Sequence, residues 1–233
     1  MKSVLVDFRI SKKSKDSLIN LGYAVFETEK CPDLAEPVCG HPDMLVCKIS
    51  NTDFIVKTTL CGLFEDKFKN INIIAGKTKV KPEYPFDIAY NAARIGKYLF
   101  CNEKYTDSKI KEYCAKNGIK ILNVKQGYAK CSICEVSDNA IITADKSIYI
   151  AAKENNIDVL LIDNKGIVLN GYDEGFIGGA TGLLEKDLLA VNGNLKLHNN
   201  GEEIKSFCKK YGVNAVSLSD EPITDIGSII RIE

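Results

Sequence analysis

No stretch of this 233-residue chain approaches the ~20 consecutive apolar residues of a membrane-spanning helix. The apolar run that opens the chain is far too short for a secretory signal, and Asp7 interrupts it. Both absences argue for a protein that stays in the cytosol and makes no membrane contact. There is no surplus of positive charge either, since 31 Lys and Arg face 31 Asp and Glu. Arginine is scarce, limited to Arg9, Arg94 and Arg231. Binding a phosphate backbone needs a concentrated excess of Lys and Arg, so nucleic acid is not an expected partner.

Metal and cofactor signatures are also missing. The chain has two histidines and a single CxxC, Cys131-Ser-Ile-Cys134. A zinc site wants a second such pair or neighbouring histidines, and the spacing of Cys31, Cys39 and His41 matches no ligand pattern. The glycine-rich stretch 175–182 lacks the Lys-Ser/Thr ending of a phosphate loop. An apolar strand follows it, not the helix that a dinucleotide fingerprint requires. It reads instead as close backbone approach near an axis. Neither a metal nor an organic cofactor is implied. Nine cysteines, an odd number, fit reduced thiols packed as small core residues. Cys47, Cys61, Cys101, Cys114 and Cys208 lie in apolar patterns and read as packing. His198 sits in a polar loop and reads as solvated.

What the chain does contain is a repeat. Residues 131–136 form an apolar-rich run of strand length, and 137–139 (Ser-Asp-Asn) form a turn cluster. Residues 140–143 form a second strand. Asp145 caps a helix over 146–155, and 158–162 is a buried strand. The unit is strand, tight turn, strand, helix, strand. The same order appears over 44–75 and over 89–124, where Gly118 ends the helix. It recurs over 177–218. The fifth copy is split: 227–232 supplies its first strand, and residues 3–6, 12–20 and 24–26 supply the rest.

Second strands begin near residues 4, 54, 98, 140 and 188, at steps of 50, 44, 42 and 48. The step from 188 through the chain ends back to residue 4 is 49. A period that closes on itself through the termini is the signature of a ring. One unit cannot bury both sheet faces alone, so its neighbours must cover them. Sharing the last unit between the termini removes a free sheet edge. The chain therefore predicts a single α/β domain over 1–233, a five-bladed β/α propeller of ββαβ units. An open, doubly wound sheet would not need the tight strand–turn–strand step in every unit.

Five such units with split-unit closure resemble the pentein superfamily. That superfamily includes arginine and agmatine deiminases, dimethylarginine dimethylaminohydrolase, amidinotransferases and a non-catalytic ribosome anti-association factor. The resemblance implies reactive residues at the inner ends of first strands, around a central channel. It implies a cysteine nucleophile in the last unit's first strand and a His-x-Asp motif two units earlier. Here the last unit reads Asp225-Ile-Gly-Ser-Ile-Ile, with Ser228 where the cysteine is expected. The two-unit offset is nevertheless kept elsewhere, rotated around the ring. His41-Pro-Asp43 opens the first unit, and Cys131 stands at the strand start two units on.

Hydrolysis of an amidine needs a thiolate, carboxylates to hold the cation, and a general acid/base. On this reading Cys131 is the nucleophile, its acidity raised by Lys130 or by a bound cation. His41 moves the proton, with Asp43 beside it. Asp43, Asp87 and Asp225 clamp the guanidinium. Asn91, Lys130 and Ser132 line the substrate site, and Arg94 or Arg231 meets a substrate carboxylate. The expected substrate is a small, arginine-like metabolite in the channel. The competing expectation is a non-catalytic ring that binds a small molecule or a protein.

Overall fold

The computed structural model describes residues 2–233. Five three-stranded sheets repeat one topology, in which the first strand pairs antiparallel with the second and the second pairs parallel with the third. The unit joining the termini is built from β1 (Ser3–Val6), α1 (Lys12–Asn20) and β2 (Ala24–Glu27). The next contains β3 (Val46–Lys48), β4 (Asp53–Val56), α2 (Cys61–Lys67) and β5 (Asn72–Ala75). Then come β6 (Ala93–Ile95), β7 (Tyr98–Cys101), α3 (Ser108–Lys116) and β8 (Lys120–Asn123). A short helix, α4 (Ala129–Ser132), leads into β9 (Cys134–Ser137), β10 (Ala140–Thr143), α5 (Lys146–Glu154) and β11 (Asp158–Leu161). The last full unit has β12 (Thr181–Glu185), β13 (Leu188–Val191), α6 (Gly201–Lys210) and β14 (Asn214–Ser217). β15 (Ile230–Arg231) then pairs with β1, with Val4 opposite Arg231.

Local chemistry explains the helix starts. The Ser11 hydroxyl accepts from the Ser14 amide at 3.2 Å, Asp107 accepts from Lys109 at 2.8 Å, and Asp145 accepts from Ile148 at 2.9 Å. Each satisfies an amide that the first helical turn leaves without a backbone partner. The second strands are buried on both faces, as Ser3–Val6, Ala140–Thr143 and Tyr98–Cys101 show. Sheet and helix layers close over four apolar clusters between the units. Cys47, Cys101, Cys114 and Cys208 are buried in them.

The first strands of neighbouring units touch in turn. β3 meets β6, β9 meets β12, and β12 meets β15. Lys48 Nζ donates to the Arg231 carbonyl at 2.9 Å, which joins the last unit to the first. Gly96, at the end of β6, lies so near the Asp138 carbonyl that a Cβ there would stand 2.3 Å from it. A cavity of about 560 Å³ is lined by residues of all five first strands. The first strands therefore surround an axis, and their ends define the two faces of the channel.

First strands are shorter than their sequence patterns predict. The run 131–136 is helical over Ala129–Ser132 and extended only from Cys134. Over 177–184 a turn precedes β12, with the Ala180 amide on the Phe176 and Ile177 carbonyls. His41-Pro-Asp43 likewise runs into a 3₁₀ turn over Pro42–Met44. Each first strand is thus preceded by a tight turn, and these turns carry the polar residues considered next. His198, expected in solvent, is buried; its Nδ1 accepts from the Asn200 amide at 3.1 Å at the start of α6.

Candidate functional site

Turns from several units converge at the entry end of the first strands. Cys131 Sγ lies 3.1 Å from Asp43 Oδ2 and donates to it. His41, Asp43 and Cys131 each place one side-chain donor or acceptor atom within 4.8 Å of the others. All three side chains are buried, as are Asn91, Asp225 and Ser228.

Asn91 organises the group. Its Oδ1 accepts from the Lys130 amide at 2.7 Å and the Cys131 amide at 3.3 Å. Its Nδ2 donates to Cys131 Sγ at 3.1 Å and to the Asp43 carbonyl at 3.3 Å. The two amides that Asn91 accepts belong to α4, which curls where a strand was expected. A side chain from the preceding unit thereby sets the position of the thiol.

Ser228 occupies the position where the resemblance implies a cysteine. Its hydroxyl lies 2.7 Å from Asp43 Oδ2 and 3.0 Å from the Gly178 carbonyl, and it accepts from Lys130 Nζ at 2.9 Å. Its φ of +75° is rare for a residue with a Cβ and is maintained against strain by these contacts. Preceding it, Gly227 at φ +68° packs against the histidine, and a Cβ there would stand 2.2 Å from His41 Cβ.

His41 lies between two carboxylates. Nδ1 is 3.9 Å from Asp225 Oδ1, and Nε2 is 3.9 Å from Asp7 Oδ2. Neither ring nitrogen has a hydrogen-bond partner among the described residues. An unpartnered buried imidazole is costly unless something else meets it. Asp7 is held by Arg9, whose amide and Nε reach Oδ1 at 2.8 and 2.9 Å. Asp225 accepts from the Phe176 amide at 2.8 Å and the Gly227 amide at 2.9 Å. Gly179 permits this, since a Cβ there would stand 2.0 Å from Asp225 Oδ1.

The electrostatics favour a cation. Burial pushes the Cys131 thiol well above its usual range, and the carboxylates of Asp43 and Asp225 push it further. Burial and the Asp43 charge likewise raise Asp225, although His41 opposes the rise. A positive ligand seated among these groups would reverse the carboxylate effects. It would stabilise both carboxylates as anions and make the thiolate easier to form.

Some predicted site residues lie elsewhere. Asp87 accepts from the Tyr128 hydroxyl at 2.6 Å, and among the described residues no hydrogen bond or ion pair ties it to the cluster. Lys130 does not contact the thiol; its ammonium is on Ser228. The Ser132 hydroxyl is buried with no partner among the described residues. Arg231 pairs with Glu185 at 2.7 Å, and Arg94 Nε is on the Gly96 carbonyl; both line the channel at its other end. Asp7 was missed, because an aspartate ending a short buried strand carries no sequence mark of its contact with residue 41. Ser228 was legible as a position but not as a partner of Asp43.

The chain matches, over residues 5–230, the family described as "Family of unknown function (DUF6873)". No curated protein matches it. Among solved structures, a mutant of DDAH from Pseudomonas aeruginosa complexed with citrulline superposes with a TM-score of 0.61 at 8% identity, covering 99% of this chain and 98% of that one. The amidinotransferase SxtG of the saxitoxin biosynthetic pathway in Microseira wollei superposes at 0.56 with 12% identity, over 93% and 88%. An agmatine deiminase from C. jejuni superposes at 0.53 with 11% identity, over 94% and 86%. At such identities the likeness establishes the fold, which is that of the penteins.

Proposed function

The chain belongs to that family of unknown function, DUF6873, and we propose that it acts on the guanidine or amidine group of a small, arginine-like metabolite. The reaction is cleavage of a C–N bond, by hydrolysis or by amidino transfer. The observation that carries this reading is the buried meeting of Cys131, His41 and Asp43, with Asp225 beside the imidazole. The solved structures it resembles are a DDAH, an amidinotransferase and a deiminase, which supports a guanidine as the target.

The chemistry runs through this chain's own residues. Asp43 and Asp225 hold the planar cation, which pairs well with carboxylates. Cys131 transfers its proton to His41 and attacks the central carbon, forming a C–S bond. The C–N bond to the leaving amine then breaks as His41 returns the proton to that nitrogen. In hydrolysis His41 takes a proton from water, and the oxygen adds to the carbon. The C–S bond breaks and the sulfur recovers its proton. In transfer, an incoming amine replaces the water. Asn91 keeps the sulfur in place throughout.

The test is release of ammonia or amine from agmatine, arginine and methylguanidine by wild type and by Cys131→Ser. Release by wild type that Cys131→Ser abolishes supports the reading, and release that persists in Cys131→Ser removes Cys131 as nucleophile. The full burial of the thiol and its high pKa favour a second reading, a ring that binds such a cation without turning it over. Saturable binding of agmatine with no release would support that second reading.

A further inference from the structure

The cavity of about 560 Å³ runs along the first strands, from Val46, Lys130 and Thr181 to Ser50, Asp138 and Glu185, and none of His41, Asp43 or Cys131 lines it. Alternation along the strands brings Lys48, Arg94 and Arg231 to its wall, and Lys130 reaches it from α4. Arg231 is neutralised by Glu185 at 2.7 Å. Lys48, Lys130 and Arg94 remain, with the exposed Lys186, against two carboxylates, the half-buried Glu135 and the exposed Asp138. Among the described residues Glu135 makes no direct ion pair with them, although the Lys130 and Lys48 charges oppose the rise that burial imposes on its carboxyl.

These three cations have donors to spare. Lys48 Nζ makes one bond, to the Arg231 carbonyl at 2.9 Å, and Lys130 Nζ makes one, to Ser228 Oγ at 2.9 Å. Arg94 uses Nε on the Gly96 carbonyl, while its two terminal nitrogens have no partner among the described residues. Burial drives the Lys48 ammonium down to about 8, so holding its charge costs free energy in this lumen. Five cations against three carboxylates along one half-buried cavity leave a positive surplus with free donors, which an anionic ligand would offset.

We propose that this lumen is a binding site for a small oxyanion, a phosphorylated or dicarboxylate metabolite, held by Lys48, Lys130 and Arg94. The site borders the cysteine cluster, uses none of His41, Asp43 or Cys131, and is opposite in charge. Lys130 connects the two, because its ammonium meets Ser228, whose hydroxyl meets Asp43.

The arginines give a test on the wild-type protein. Phenylglyoxal modifies accessible guanidinium groups. Arg9 is engaged by Asp7 and by the carbonyls of Glu36 and Pro37, and Arg231 by Glu185. Peptide mapping should therefore show Arg94 as the first site modified. Inorganic phosphate should protect it saturably, at an ionic strength matched with chloride. Protection by phosphate alone identifies a phosphorylated ligand, and protection by succinate as well extends the site to carboxylates. Calorimetric titration of phosphate should weaken about tenfold in Lys48→Met and in Arg94→Met, with no change in the surface variant Lys12→Met. Arg94 modified at one rate with or without either anion overturns the proposal. So does a loss in Lys12→Met equal to that in Lys48→Met.

Discussion

Two regions of the channel present opposite charge from the same five units. At the entry end the buried charged groups are carboxylates, Asp7, Asp43 and Asp225, gathered around one imidazole and one thiol. Toward the exit end the wall carries Lys48, Arg94 and Arg231, with Lys130 standing between the two regions, around one cavity. The entry end is built from turns, which can aim a side chain at the axis without obeying strand alternation. The exit end is built from regular strand, where alternate residues face the lumen automatically. The contrast teaches that the charge of the channel wall is set unit by unit, at the turn before each first strand and at its end.

Several variants should break or sharpen that contrast. The largest effect is expected from Cys131→Ser, which should cut turnover of a guanidine substrate by at least ~10³-fold while leaving phosphate binding at the exit end intact. Asp225→Asn removes one cation-binding charge at the entry end. It should weaken agmatine binding by about 2 kcal/mol or more, read by calorimetry, without a matching loss for phosphate. Gly227→Ala should destabilise the fold by about 2 kcal/mol or more in a denaturant titration. The residue has φ +68°, and the new Cβ would meet His41.

The smallest effect concerns Lys48, whose folded pKa of about 8 lies below its unfolded value of ~10.4. Between these values the unfolded chain binds the proton that the folded chain has lost, so stability rises with pH across that window. Lys48→Met should remove this slope and gain about 1 kcal/mol at neutral pH, a figure reduced for the residue's partial exposure. A flat pH dependence in wild type would show that the exit-end cations are already balanced.

The architecture was largely legible in the sequence, whereas the site was legible only in part. Helices over Lys12–Asn20 and Ser108–Lys116, and strands over Ala140–Thr143 and Leu188–Val191, fall where the caps, turns and buried runs place them. Those signals are local, and short-range bonds enforce them. The first strands were overextended because their opening turns are fixed from other units. Asn91 accepts two amides of α4 across 39 and 40 residues, and no local propensity encodes that. The pairing of His41 with Cys131 came from the two-unit offset alone. The geometry adds Asp7 and Ser228 to it and leaves Asp87 with Tyr128.

On the proposed reading, Cys131 becomes reactive when a cation neutralises the carboxylates beside it. Alkylation by chloroacetamidine, compared at neutral pH with the uncharged reagent iodoacetamide and mapped to peptides, tests it most directly. Single-site labelling of Cys131 is expected, at least ~10-fold faster with the amidine reagent and slowed in His41→Ala. Slow labelling spread over several cysteines, with no preference for the cationic reagent, would contradict it.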